Sequence, residues 1–320
     1  MKFIASLAAL SLAFSLSQAR ADFTLQDTPG QHMDVLQDGK IVGRYMYAYD
    51  KSSKERLAET YKPYLHVFDA EGKAPITKGP GGQFTHHRGI FIGWNKIAYN
   101  GKTYDRWHMS GGEQVHQKFL KQEADANGAT ITSQVNWNDE KGQPFIVEER
   151  TMSFRKAPTP AYVLIDFASK ISPIGDVELN GDPEHAGIHF RPAQEVDPKQ
   201  TSYLYPIEGA KPHADKDYPW VGETFSLNGN KYSVLHINHP GNPKETRYSA
   251  YRDYGRFGAF PVAKIKGGES QTFQYRFAIA QGEMFSAETI QTIANSFTGE
   301  NQPTPKTTST LSEQPKPAAK

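Results

Sequence analysis

The sequence predicts an all-β protein, a large antiparallel β-sandwich closed by one C-terminal helix. Three observations carry this reading. Long segments alternate apolar and polar residues with period two, Gly and Pro crowd the connections between them, and sustained helical spacing is confined to one stretch near the end. No repeat at propeller or solenoid spacing is present.

The elements follow in chain order. Lys2, the apolar run from Ile4 to Leu16 and the small-x-small site Ala19-Arg20-Ala21 read as a signal peptide over residues 1–21, cleaved before Asp22. The apolar run is shorter than the roughly 20 residues a spanning helix needs, so no membrane insertion is expected after cleavage. Lys54–Thr60 reads as a short helical turn and Ile90–Trp94 as a buried strand. In Ala129–Trp137 the residues Ala129, Ile131, Val135 and Trp137 share one side. Asp139–Gly142 then turns the chain into a strand over Phe145–Phe154. Lys156–Pro160 leads back through Ala161–Ala168. In Gln271–Ala280 the residues Phe273, Tyr275, Phe277 and Ile279 alternate with Thr272, Gln274, Arg276 and Ala278. Ser286 can cap a helix through Phe297, with Ile290, Ile293 and Phe297 on one side. A single sandwich domain is therefore expected over 22–297. The Pro/Thr-rich remainder, 298–320, holds almost no apolar residue and reads as disordered.

Composition removes several functions. Loss of Lys2 and Arg20 with the signal peptide takes the formal charge from +1 to −1, and no Lys/Arg block offers a footprint for nucleic acid. Cysteine is absent, which excludes thiol catalysis and thiolate metal sites. Neither a serine-nucleophile elbow nor a nucleotide-binding Gly motif occurs. An exported protein, periplasmic or secreted, is the compartment these features imply.

Histidine and arginine gather in four segments rich in Gly, Pro and Asn: Phe84–Gly89, Arg106–His108 with Gly111-Gly112-Glu113, Glu184–Pro192, and Asn238–Pro243 through Arg252–Gly255. In the third, strand geometry puts Gly187, His189 and Arg191 on one face and Ile188 and Phe190 in the core, with His185 on the His189 face if the strand begins early. Imidazole and guanidinium side by side suit a carboxylate, a phosphate or a polyhydroxylated ring. The candidate catalytic residues are His86, His87, His189 and His239, with imidazole as general acid or base. The candidate substrate-binding residues are Arg88, Trp107, His108, Arg191, Asn242, Arg252 and Tyr254. Trp220 is a further aromatic that could stack on a sugar. Glu113 and Asp253 stand out among the carboxylates Asp105, Glu113, Glu184, Glu195 and Asp253, because they adjoin Gly-rich turns. A divalent metal is a candidate cofactor, but no HExxH spacing is present, so its ligands would have to come from distant strands.

The ordered motifs resemble one bacterial family. They are Pro63-Tyr64-Leu65 as an early strand, His86-His87-Arg88-Gly89 with Gly93-Trp94, and His189-Phe190-Arg191. Asn238-His239-Pro240-x-Asn242-Pro243 and Arg252-Asp253-Tyr254-Gly255-x-Phe257-Gly258 complete the set. The family is of unknown function and often bears the label "methane oxygenase PmoA family". The resemblance spans about Gly43 to Phe297 and implies a supersandwich of the galactose-mutarotase-like kind. The label's chemistry does not transfer, because the particulate methane oxygenase is a membrane copper enzyme with long apolar helices. By analogy, the family implies a carbohydrate or sugar-acid ligand. The leading expectation is an exported carbohydrate-active hydrolase, lyase or epimerase. The alternatives are a non-catalytic glycan-binding protein and a metal-dependent hydrolase or oxygenase.

Overall fold

The computed structural model describes residues 22–313. The expected signal peptide, 1–21, lies outside them. Two antiparallel sheets face one another. The larger has nine strands in the order Thr308–Leu311, Ser202–Tyr205, Trp220–Leu227, Asn230–Asn238, Gln271–Gln281, Ala161–Pro173, Pro144–Arg155, Gly128–Asn138 and Gln114–Ala124. The smaller has six, running Phe23–Thr28, His32–Gln37, Lys40–Met46, Tyr64–Val67, Ile90–Trp94 and Ala186–Phe190. A four-stranded sheet and a two-stranded ribbon, Arg247–Ser249 with Gly258–Phe260, complete the strands. The predicted antiparallel sandwich is the observed fold.

The alternations explain the layers. Ile131, Val135 and Trp137 from the larger sheet meet Ile90, Ile92, Trp94, Ile188 and Phe190 from the smaller in one central core. On the other side of Gln271–Gln281, Ala278 and Ala280 are small because a helix lies against them. That helix, Ala287–Thr298, is capped by Ser286 and buries Ile290 and Ile293 over Trp220, Leu235 and Ile237. Trp220 therefore belongs to this packing, with its Nε1 3.3 Å from Gln291 Oε1. It cannot face a sugar. The short helix Lys54–Thr60 forms as predicted.

One buried ion pair ties the sheets together. Arg150 donates to Glu148 at 2.9 and 2.8 Å, to Pro63 O at 2.9 Å beside the smaller sheet, and to Gln114 Oε1 at 3.2 Å. Trp137 Nε1 and Ser169 Oγ, each at 2.8 Å, complete the Glu148 carboxylate. Every polar group of the pair is thereby matched, which is what permits a charge pair in an apolar core.

The expectation of a disordered tail needs correction over its described part, 298–313. Beyond the helix the chain runs back along the larger sheet, and Thr308–Leu311 pairs with Ser202–Tyr205 at its edge. The segment buries little, as its composition requires. Its backbone finds partners in an edge strand that would otherwise expose unpaired N–H and C=O groups.

Candidate functional site

The site lies on the outer face of the six-stranded sheet. Its last two strands pair His189 with Phe91 and Gly187 with Gly93. Ile188 and Phe190 turn into the core as predicted, so His189 faces outward. It is covered rather than exposed, its ring lying 4.3 Å from Phe91 and 4.8 Å from Trp107. Two close approaches make this possible. A Cβ at Gly187 would come within 2.1 Å of Ala259 O, so glycine lets the ribbon carrying Tyr254 cross the strand. A Cβ at Gly93 would come within 2.0 Å of Arg106 O, so glycine there lets the Asp105–His108 turn lie on the sheet.

Five imidazoles form a row leading from the interior to the surface. Ring centroids are 5.5 Å apart for His189 and His87, 4.3 Å for His87 and His86, 4.4 Å for His86 and His108, and 4.9 Å for His108 and His185. His189 and His87 are buried, whereas His86, His108 and His185 are half-buried. The row thus runs from a buried root to a partly open outer end. Burial, followed by neighbouring cations such as Arg256, holds His87 and His189 well below the usual imidazole range. Burial, with Lys62, His108 and His185 adding to it, pushes His86 down to about 3. These three rings are neutral at physiological pH, with lone pairs available to a proton or an ion.

Two carboxylates orient the outer rings. Asp105 Oδ2 lies 2.7 Å from His108 Nδ1, and Asp182 Oδ1 lies 2.7 Å from His185 Nδ1. Asp105 also accepts the N–H groups of Trp107 and His108, each at 2.8 Å. Burial pushes the Asp105 carboxyl up, but the hydrogen bonds from His108 and Trp107 outweigh it and hold its pKa below the ordinary value. Asp182 behaves likewise: burial raises it, while Asn95, the Glu184 N–H and His185 lower it further. An ionised carboxylate can only accept, so each Nδ1 carries a proton, and in the neutral ring the lone pair is on Nε2. One ring nitrogen from each of His86, His108 and His185 lies within 4.8 Å of those of the other two. These are the residues that could hold a metal.

The predicted arginines serve as supports. Buried Arg88 donates to the carbonyls of Ala58, Glu59 and Thr85, closing the end of the short helix and fixing the loop that bears His86 and His87. Arg191 donates to Pro192 O and Tyr254 O and lies 4.9 Å under the Tyr254 ring, which it positions. Arg252 pairs with Glu184, next to His185. Trp107 is fully buried against Phe91, so it forms the floor and cannot stack on a ligand. Tyr254 is half-buried and packs 5.2 Å from the exposed ring of Phe84, which in turn lies 5.2 Å from His87.

Two predicted residues lie elsewhere. His239 packs at 5.4 Å against Phe297 of the C-terminal helix, on the far side of the sandwich, and its Nδ1 accepts the Gly241 N–H. Asn242 bonds both backbone groups of Gln274, at 2.8 Å each, and so extends the larger sheet. The Pro- and Gly-flanked setting that made them look functional is that of a rigid turn. The Asp253 carboxylate accepts the Tyr254 N–H, and the Glu113 backbone carbonyl accepts the Asn138 N–H. Sequence reasoning placed His185 on the His189 face only conditionally and outside the candidate list, missed Asp182, and left Asp105 among several carboxylates. A signal existed, since Asp-x-x-His occurs at Asp105–His108 and again at Asp182–His185.

Fold and site together define an antiparallel β-sandwich protein with a carboxylate-supported histidine cluster on one outer face. The chain belongs to the DUF6807 family of unknown function, whose profile matches residues 32–295. No curated protein matches the sequence. Among solved structures, it is similar to a mutant heparan sulfate lyase from Pedobacter heparinus, with 11% identity and a TM-score of 0.39, covering 87% of this chain and 38% of the lyase. A putative kojibiose phosphorylase from the human microbiome has 8% identity and a TM-score of 0.38, covering 81% of this chain and 32% of its own. A galactose mutarotase related enzyme from Lactobacillus acidophilus has 9% identity and a TM-score of 0.34, covering 82% of this chain and 97% of its own. The chain thus spans less than two fifths of the first two proteins, and likeness of this degree carries no argument about chemistry. Among the described residues no helix is long and apolar enough to cross a membrane.

Proposed function

We propose that this chain is an exported carbohydrate-active enzyme, a hydrolase, lyase or epimerase acting on a sugar or sugar acid at the His86–His108–His185 face. The observation that carries the reading is the convergence of these three rings, two of them oriented by the ionised carboxylates of Asp105 and Asp182. Such an arrangement is a poor device for stability, since it places unpaired imidazole nitrogens together. It is a good one for moving protons or activating water, because two of the rings are held in one tautomer. Phe84 and Tyr254 supply an apolar surface beside it, suited to the C–H face of a pyranose ring, while the imidazoles meet its hydroxyls.

In this reading Asp105 and Asp182 fix the rings, Arg191 and Arg88 hold the loops that present them, and Phe84 with Tyr254 binds the ring face. Incubating the mature protein with a panel of glycans and sugar acids, read by mass spectrometry, tests it. A product formed by wild type and lost in His185→Ala supports the reading. Saturable binding with no product from any of the panel returns the chain to the class of non-catalytic glycan-binding proteins.

A further inference from the structure

We propose that His86, His108 and His185 bind one divalent transition-metal ion of the zinc type, with a further position open to solvent or substrate. The inference deepens the proposed enzyme, since it rests on the same face, but it makes a claim about binding that stands or falls without any substrate.

The geometry supports it in three independent ways. First, the three ring nitrogens, each within 4.8 Å of the others, come from three separate turns that flank strands. A tetrahedral ion with Zn–N bonds of about 2.0–2.1 Å spaces its ligand nitrogens by about 3.4 Å, so rotation of the half-buried rings closes the difference. Second, two of the three rings have their Nδ1 occupied by a carboxylate at 2.7 Å. This carboxylate–histidine pairing leaves Nε2 as the donor and raises its basicity, which is the outer arrangement found around metal-bound histidines. The carboxylates are themselves fixed, Asp182 by Asn95 Nδ2 at 2.9 Å and the Glu184 N–H at 3.0 Å. Third, His86 Nε2 is shielded from solvent and makes no hydrogen bond among the described residues. A buried polar nitrogen left without a partner is unfavourable, and a bound cation is one way to satisfy it.

Ligand chemistry narrows the ion. Neutral imidazole suits zinc, copper, iron and nickel, and disfavours calcium and magnesium, which take oxygen ligands. Three protein ligands with an open position match catalytic rather than structural zinc sites. At such a position a bound water becomes a nucleophile near neutral pH, which serves hydrolysis, or the ion polarises a sugar oxygen, which serves elimination or epimerisation.

The test uses the full chain, exported and purified without a polyhistidine tag, stripped with a chelator and titrated with ZnCl2 by calorimetry. The expected result is one equivalent bound per chain and a rise in Tm on loading. His108→Ala and His185→Ala should abolish stoichiometric binding while His239→Ala retains it. Asp105→Asn and Asp182→Asn should weaken it by about 10–100-fold. If an alanine variant loses its fold by circular dichroism, these Asn variants carry the same comparison. Absence of a one-to-one site in folded wild type, or undiminished binding in His185→Ala, overturns the proposal. Zinc binding without turnover of any glycan leaves the metal site standing and sinks only the carbohydrate reading. Turnover by fully stripped protein leaves the carbohydrate reading standing and removes the ion from the chemistry, while the binding claim is decided by the titration alone.

Discussion

Asp105 holds His108 by both ends, accepting the ring Nδ1 at 2.7 Å and the backbone N–H at 2.8 Å. A single carboxylate therefore sets the position of the residue and the tautomer of its ring. Asn at this position can still accept the backbone bonds through Oδ1 but presents an N–H to the ring. Asp105→Asn should move the His108 proton to Nε2, visible in the ring 15N shifts. It should lower turnover by at least about tenfold, the effect expected of a lost orienting partner, with little change in Tm. An Nδ1-protonated His108 in the variant would separate the carboxylate from the tautomer.

His189 now reads as a support beneath the site. Its ring is fully buried between Phe91 and Trp107, and Nε2 lies 3.2 Å from Arg88 O. His189→Ala should open a cavity and lower the stability by about 2 kcal/mol. Urea denaturation measures it. Unchanged stability with abolished turnover would make His189 a catalytic group instead.

The Glu148–Arg150 pair sets a second stability expectation. Arg150→Met leaves a buried carboxylate without its cation, at a cost of about 3–5 kcal/mol. Replacing both members, Glu148→Gln with Arg150→Met, should recover much of the loss. Equal loss in single and double variants would show that the bond to Pro63 O matters more than the charge.

His236 gives the protein a pH dependence away from the site. It is enclosed by Tyr248, Tyr275, Phe257 and Phe277, and burial pushes it down to about 3. The unfolded chain takes up this proton near the ordinary value of 6.5. The folded chain does not until about pH 3. Stability is therefore fully present above 6.5 and falls with pH between these values, by up to about 1.4 kcal/mol per unit. His66 and His116, pushed by burial to about 4, act in the same direction. His236→Leu should flatten the slope in denaturation curves as pH falls from 7 to 5, by an amount that approaches one proton at the lower end. An unchanged slope would mean that His236 is protonated in the folded state.

The sandwich was legible because alternation records burial directly. Phe273, Tyr275, Phe277 and Ile279 are all in the central core, as their spacing required. The strand face carrying His189 was legible for the same reason. Its distance from solvent was not, because the cover comes from Trp107 on a distant turn. His239 looked equivalent to His86 in its local setting, and only the long-range fold separates them. His185 precedes its strand, so period-two reasoning could place it only on condition of an early start, and Asp182 fixes it at a spacing of three. The tail strand was illegible from composition, since pairing at a sheet edge uses backbone rather than side chains.

The central claim is that chemistry resides where His86, His108 and His185 converge. Comparing His185→Ala with His239→Ala on one substrate from the glycan panel tests it most directly, with Tm recorded for both. The account predicts a loss of at least about 100-fold in kcat/KM for His185→Ala, equivalent to about 2.7 kcal/mol of transition-state stabilisation. It predicts near wild-type turnover for His239→Ala. Full activity in His185→Ala, with loss confined to His239→Ala, would contradict it.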